Sequence, residues 1–184
     1  MSKRKNSSHS RAVGNPDEND YKEYRGFYTF PKIKCVLIAE SPPARGTYFY
    51  FPDGAVTENL FSAVMEALYK KVPQTKREGL DNFKKDGYLL VDSIYKPINR
   101  YKKIDRIAAL VENLPNLLED LKSLKITKKT PIILISRRVL DIIGPLLVLD
   151  GKNVLNKGDL VPFPAYGRRT EFIRKLRKYI RKLK

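Results

Sequence analysis

Short, almost unbroken apolar runs alternate along this chain with longer stretches whose apolar positions recur every three or four residues. The runs are Lys34–Glu40 (KCVLIAE), Gly87–Asp92 (GYLLVD) and Pro131–Ser136 (PIILIS), and the first stops sharply at Ser41-Pro42-Pro43. Near-continuous apolar strands bounded by turn residues are what a parallel sheet buried on both faces requires. Leu160–Pro162 is a candidate short fourth strand. Between the runs, Thr57–Lys71 carries Leu60, Phe61, Val64, Met65, Leu68 and Tyr69 on a helical stripe, with Thr57 as the expected N-cap. Asp105–Leu124 reads as helix with a break or kink at Pro115, and Arg138–Leu147 as a helix ending near Gly144-Pro145 or soon after. Arg168–Leu183 aligns Phe172, Ile173, Leu176, Tyr179, Ile180 and Leu183 on one face. Strands alternating with amphipathic helices predict an α/β fold, a three-layer α/β/α arrangement around a central, mostly parallel four-stranded sheet.

Residues 1–20 show no such periodicity; they are rich in Ser, Asn, Lys and Arg and read as a flexible arm. Residues 21–184 then form a single domain, which the length of 184 residues accommodates. The charge sharpens the picture. Thirty-seven Lys and Arg against twenty Asp and Glu give +17, a self-repelling excess whose commonest use is polyanion binding. The alternative is a lysine-rich surface selected for solubility or for a hot or salty cytoplasm. One cysteine, Cys35, leaves no internal disulfide and no four-cysteine zinc or iron–sulfur site. The sole histidine, His9, stands in the polar arm, so no metal or other cofactor is expected. No apolar run approaches bilayer length and Met1–Arg11 lacks the apolar core of a signal peptide. These readings predict a monomer that engages no membrane, cytoplasmic or, in a eukaryote, nuclear.

Ligands of parallel sheets sit beyond the carboxyl ends of the strands, so chemistry is sought in the segments there. Ala39–Gly46 is one: a Pro-rich turn holding Glu40, Ser41, Pro42, Pro43 and Arg45, followed by the aromatic run Tyr48–Phe51. Its rings can stack on a base, or pack into the core from an edge strand. Asp92, at the exit of its strand, can act as a base or read ligand N–H groups if desolvated, or simply cap a turn. It leads into Ser93–Arg100. Val161–Arg169 joins alternating prolines to Gly167, Arg168 and Arg169. Cations at a helix N-terminus oppose its dipole, which suggests a phosphate clamp; two solvated arginines are the plainer alternative. The polar face of the last helix, Arg174 included, is almost wholly cationic.

In this order, the segments resemble the uracil-DNA glycosylase superfamily. Ala39-Glu40-Ser41-Pro42 resembles that family's first motif, Phe49 or Phe51 its base-stacking aromatic, and Asp92 the Asn that hydrogen-bonds the base. Val161-Pro162-Phe163-Pro164 with Arg168 resembles its C-terminal motif, and the likeness runs from Lys32 to the end. Three departures stand out: Ser41 replaces the water-activating Asp, Val161 replaces the histidine, and the cluster cysteines are absent.

The resemblance implies a protein that binds DNA, or RNA, flips a nucleotide and excises a damaged or deaminated base, or a non-catalytic relative that only binds. Asp92 and Glu40 are the expected catalytic carboxylates. Ser41, Pro42, Pro43, Phe49 and Phe51 would line the base pocket, and Arg45, Arg100, Arg168, Arg169 and Arg174 would hold the backbone. An ionised Asp92 offers acceptors only, which suits an exocyclic amine and predicts that unmodified uracil is not preferred. A small-molecule α/β enzyme acting on a nucleotide or other phosphate is the third class considered.

Overall fold

The computed structural model describes residues 16–44 and 46–183. Four parallel strands form the sheet: β1 (Cys35–Ala39), β2 (Tyr88–Asp92), β3 (Pro131–Leu134) and β4 (Asn153–Val154), ordered β2-β1-β3-β4. Every residue of β1 and β2 is buried, as the unbroken apolar runs require. In register, Ala39 stands beside Asp92 and Ile38 beside Leu134, so the strands end nearly level and their exit loops gather at one edge. Gly87 opens β2 at φ +77°, and a Cβ there would lie 2.9 Å from the Lys32 carbonyl oxygen.

The helices are α1 (Glu18–Phe27), α2 (Asn59–Tyr69), α3 (Lys76–Lys85), α4 (Lys103–Glu112), α5 (Leu114–Ser123), α6 (Gly144–Leu149) and α7 (Arg169–Ile180). The β1-to-β2 crossing runs through α2 and α3, while β2 to β3 returns across β1 through α4 and α5. Right-handed crossings in opposite directions place those pairs on opposite faces, giving the expected three layers. α7 packs along α2 and buries Phe172, Ile173, Leu176 and Tyr179. Among the described residues no helix is long and apolar enough to cross a membrane.

Several elements depart from expectation. The fourth strand is Asn153–Val154; the segment expected there contributes only Val161, bridged in parallel to Ile135 at the end of β3. Asp105–Leu124 divides at Asn113, and Pro115 sits in the first turn of α5, where its missing N–H costs nothing. Of the two ends offered for the helix that follows β3, the later holds: a π-helical turn, Val139–Ile143, hands over at Gly144-Pro145 to α6, which stops at Leu149. Glu58, not Thr57, precedes α2, without a side-chain cap. α1 starts at Glu18, inside the stretch expected to be arm, because Asp17 and Asp20 close a reciprocal capping box. α3 was not anticipated either; Thr75 caps it by accepting from the Glu78 amide at 3.2 Å.

Candidate functional site at the strand-exit edge

The exit loops are braced against one another before any side chain is free to do chemistry. Ser93 donates through both its amide and its hydroxyl to the Ala39 carbonyl, each at 2.8 Å, and the Ala44 amide donates to Asn99 Oδ1 at 3.1 Å. The loop after β1 is thereby fixed to the loop after β2.

Asp92 closes β2 with 3% of its surface exposed, and its Oδ2 has no hydrogen-bond partner. Tyr21 and Arg25 from α1, Tyr48 and Tyr50 from the loop after β1, and Tyr95 lie close enough to couple to its charge. Arg25 is the cation of this chamber, but it is committed elsewhere. Its guanidinium pairs with both oxygens of Asp120 on α5, at 2.5 and 2.8 Å, and donates to the Tyr95 hydroxyl. Burial opposes the charge of Arg25, and the Asp120 hydrogen bonds more than restore it. Asp92 has no comparable partner, so burial raises its carboxyl to about 7 despite the pull of Arg25. The premise of an ionised Asp92 therefore holds only above that range; below it the side chain offers one donor and one acceptor, as an amide does. The buried Tyr48 hydroxyl and Arg25 Nε are also without partners. A crevice lined by Glu18, Lys22, Ser93, Asn113, Asn116 and Asp120 leads to Asp92; it is too narrow for a water molecule, so a ligand reaches the carboxyl only after its walls part.

Glu40 is occupied. It accepts from Arg106 of α4 at 2.6 and 2.9 Å and from Arg138, just past β3, at 2.8 and 3.1 Å. With its oxygens taken by two guanidiniums, the carboxylate is a clasp that ties α4 to the β3 exit. This places it away from the catalytic role expected of it.

The aromatic run is likewise used for packing. Tyr48–Phe51 forms a turn, and Phe49, 4% exposed, is enclosed by Tyr50, Phe61 and Phe83 at ring separations of 5.0 to 5.5 Å. Phe51 is half-buried against Tyr21, Tyr24 and Tyr48. Neither ring presents an open face for stacking on a base. Pro42 is buried, Ser41 half-buried and Pro43 exposed, while Arg45 lies outside the described residues. The exposed rings of this edge come instead from the Val161–Arg169 loop. Phe163 is 43% exposed and Tyr166, at φ +53°, stands wholly in solvent. Sequence periodicity carried no signal for them; a ring flanked by prolines or glycine, outside any amphipathic pattern, was the available hint.

The arginines divide. Arg100, Arg168 and Arg174 are exposed, Arg168 holding only Glu171 at 3.0 Å. Arg169 turns inward, donating to Ser62 Oγ and Glu66 of α2, each at 2.7 Å. It fastens α7 to α2, which removes it from the expected backbone clamp. Arg177 donates to the Glu66 and Ala67 carbonyls at the end of α2 in the same way. Among the described residues no group of three or more His, Cys, Asp or Glu side chains gathers to hold a metal ion.

No family model, curated protein or solved structure matches this chain. The glycosylase resemblance accordingly stands on the quoted motifs alone.

Proposed function

We propose that this protein binds nucleic acid across the strand-exit edge and reads a nucleobase with Asp92, as a DNA glycosylase-like protein that excises a damaged or deaminated base. The observation that carries this reading is the buried Asp92 carboxyl, its Oδ2 unpartnered, at the end of a closed crevice that has to open for a base to enter. An orphaned buried acceptor is costly, and a ligand N–H is the natural group to satisfy it. Exposed Phe163 and Tyr166, with Arg100, Arg168 and Arg174, supply rings and cations outside the cleft. Hydrolysis would break the bond between sugar C1′ and the base nitrogen, with water adding to a cationic sugar that the phosphates and Asp92 stabilise. That electrostatic role belongs to the ionised carboxylate; below about 7 a neutral Asp92 would instead donate a hydrogen bond to a carbonyl oxygen of the departing base.

The test is single-turnover cleavage of duplex and single-stranded substrates carrying uracil, hypoxanthine or alkylated bases, at low salt and at pH 6 and 8. Asp92→Ala is expected to abolish cleavage while leaving affinity nearly unchanged; cleavage that survives the substitution rejects the role of Asp92. A second reading, a protein that binds without cleaving, is favoured by the pairing of the other carboxylates near Asp92: Glu40 is clasped by Arg106 and Arg138, Asp120 by Arg25 and Glu18 by Lys22. Salt-sensitive binding with no product from any substrate would decide for it.

A further inference from the structure

A wider depression than the crevice at Asp92 lies beside it among the described residues. It is a groove of about 370 Å³ between the loop after β2 and α4, floored by Ile94, Ile98 and Ala109 and walled by Tyr101, Asp105 and Glu112. Asn113 lines both clefts and so joins them. Its side chain is fixed from both ends, donating to the Ser93 carbonyl at 2.8 Å and accepting from Asn116 at 2.9 Å. An occupant of the groove therefore lies across Asn113 from the crevice that leads to Asp92.

The composition of the groove selects the occupant. An apolar floor with an aromatic wall suits a flat ring, and Tyr101 keeps 37% of its surface exposed, with the Lys96 ammonium 5.8 Å from its ring centroid. Lys96 lines the groove, and Arg100, Lys102 and Lys103, all exposed, flank the groove residue Tyr101 in the chain. Lys102 occupies the N-cap of α4 with no side-chain cap, so two lysines and uncapped backbone amides meet at the end of a helix that favours anions. Cations outside and carboxylates inside form a complementary arrangement for a nucleotide, with phosphate at the rim and the base within. Asp105 and Glu112 can accept from an exocyclic amine and oppose a carbonyl edge.

We propose that this groove is a second base subsite, which seats the unpaired nucleotide adjoining the one presented to Asp92 and favours an amino-bearing base, cytosine, adenine or guanine, over thymine or uracil. The inference rests on the reading of Asp92 as a base-reading residue. It gives the protein a preference for single strands and for sequence context that the Asp92 cleft alone does not supply.

Fluorescence anisotropy with labelled single-stranded oligodeoxycytidine, oligothymidine and a matched duplex tests it, using the full chain. Tyr101→Ala is expected to weaken single-strand binding by about fivefold or more, the loss of one base–aromatic stack, with duplex binding unchanged. The pair Asp105→Asn and Glu112→Gln is expected to erase the preference for oligodeoxycytidine without reducing oligothymidine affinity. Both positions and Tyr101 lie at the surface, so circular dichroism melting should match the parent chain. Single strands bound equally by parent and Tyr101→Ala would overturn the subsite and leave the Asp92 reading standing. Equal affinity for the two homopolymers in the parent chain would do the same. No oligonucleotide bound at low salt would overturn both.

Discussion

Asp92 and Asp159 are carboxylates moved in opposite directions by their surroundings. Asp159 is held well below the usual carboxylate range by hydrogen bonds from Lys175, Lys178 and Tyr179, all on α7. Asp92 is moved up to about 7 because burial removes water and nothing replaces it. The consequence for stability follows from proton counting. Between the ordinary value of 3.8 and about 7 the folded chain holds a proton on Asp92 that the unfolded chain has released. Stability from this group is complete below that window and is lost as pH rises through about 7, on the order of a few kcal/mol at most. Tyr21, Tyr48, Tyr50, Tyr95 and Arg25 face it, and none of these changes charge in that window: the tyrosines are raised and Arg25 stays protonated. Asp92→Asn should therefore flatten the fall in stability between about pH 4 and 7, measured by urea unfolding across that range. A slope unchanged in the variant would show that Asp92 is ionised when folded.

At the scale of elements, the unexpected feature is how the sheet closes its edge. β2 is an edge strand, and its exposed backbone groups would otherwise invite pairing with another chain. The Tyr50 hydroxyl meets this by accepting from the Leu90 amide at 2.7 Å and donating to the Leu90 carbonyl at 3.0 Å. Tyr50→Phe keeps the ring and strands both buried backbone groups, so a loss of about 1–3 kcal/mol is expected by denaturant titration. A variant as stable as its parent would mean that the hydroxyl does not close the strand. The same elements show what a sequence can and cannot disclose. β1, β2, β3 and α7 were legible because their patterns, continuous apolar runs and a repeat of three to four, are imposed by burial itself. α1 and α3 were not, since each buries a face made partly of long polar side chains: Arg25 on one and Lys76 on the other. Lys76 is 1% exposed, donates to the Tyr48 carbonyl and pairs with Glu58 at 2.9 Å, and no periodicity of apolar residues announces such a face. Their caps, Asp17-x-x-Asp20 and Thr75-x-x-Glu78, were the readable signals. Of the candidate site, the strand-exit residues Glu40 and Asp92 were placed correctly at one edge by strand topology. What sequence left hidden was partnership: Arg106 and Arg138 come to Glu40 from 66 and 98 residues away.

For the molecule as a whole, the question is how much of the +17 charge is available to a polyanion. Arginines that look equivalent in the sequence are not equivalent in the fold. Arg169 is consumed by α2, whereas Arg174 is exposed and makes no ion pair among the described residues; Arg168 is weakly held at the surface by Glu171. Exposed ion pairs of that kind exchange readily for a phosphate, since each is worth little in water. Substituting Arg168 or Arg174 by Gln should thus lower nucleic-acid affinity on every sequence alike and reduce the slope of log affinity against log salt by about 0.7–0.9 for each lost phosphate contact. Thermal stability should be unmoved. Arg169→Gln should do the reverse, lowering the melting temperature through loss of the Ser62 and Glu66 bonds while leaving the salt slope intact. If all three variants shift the salt slope equally, the charge acts as a diffuse field over the surface. If only Arg168 and Arg174 do, the start of α7 is part of a defined track leading to the loops that carry Asp92.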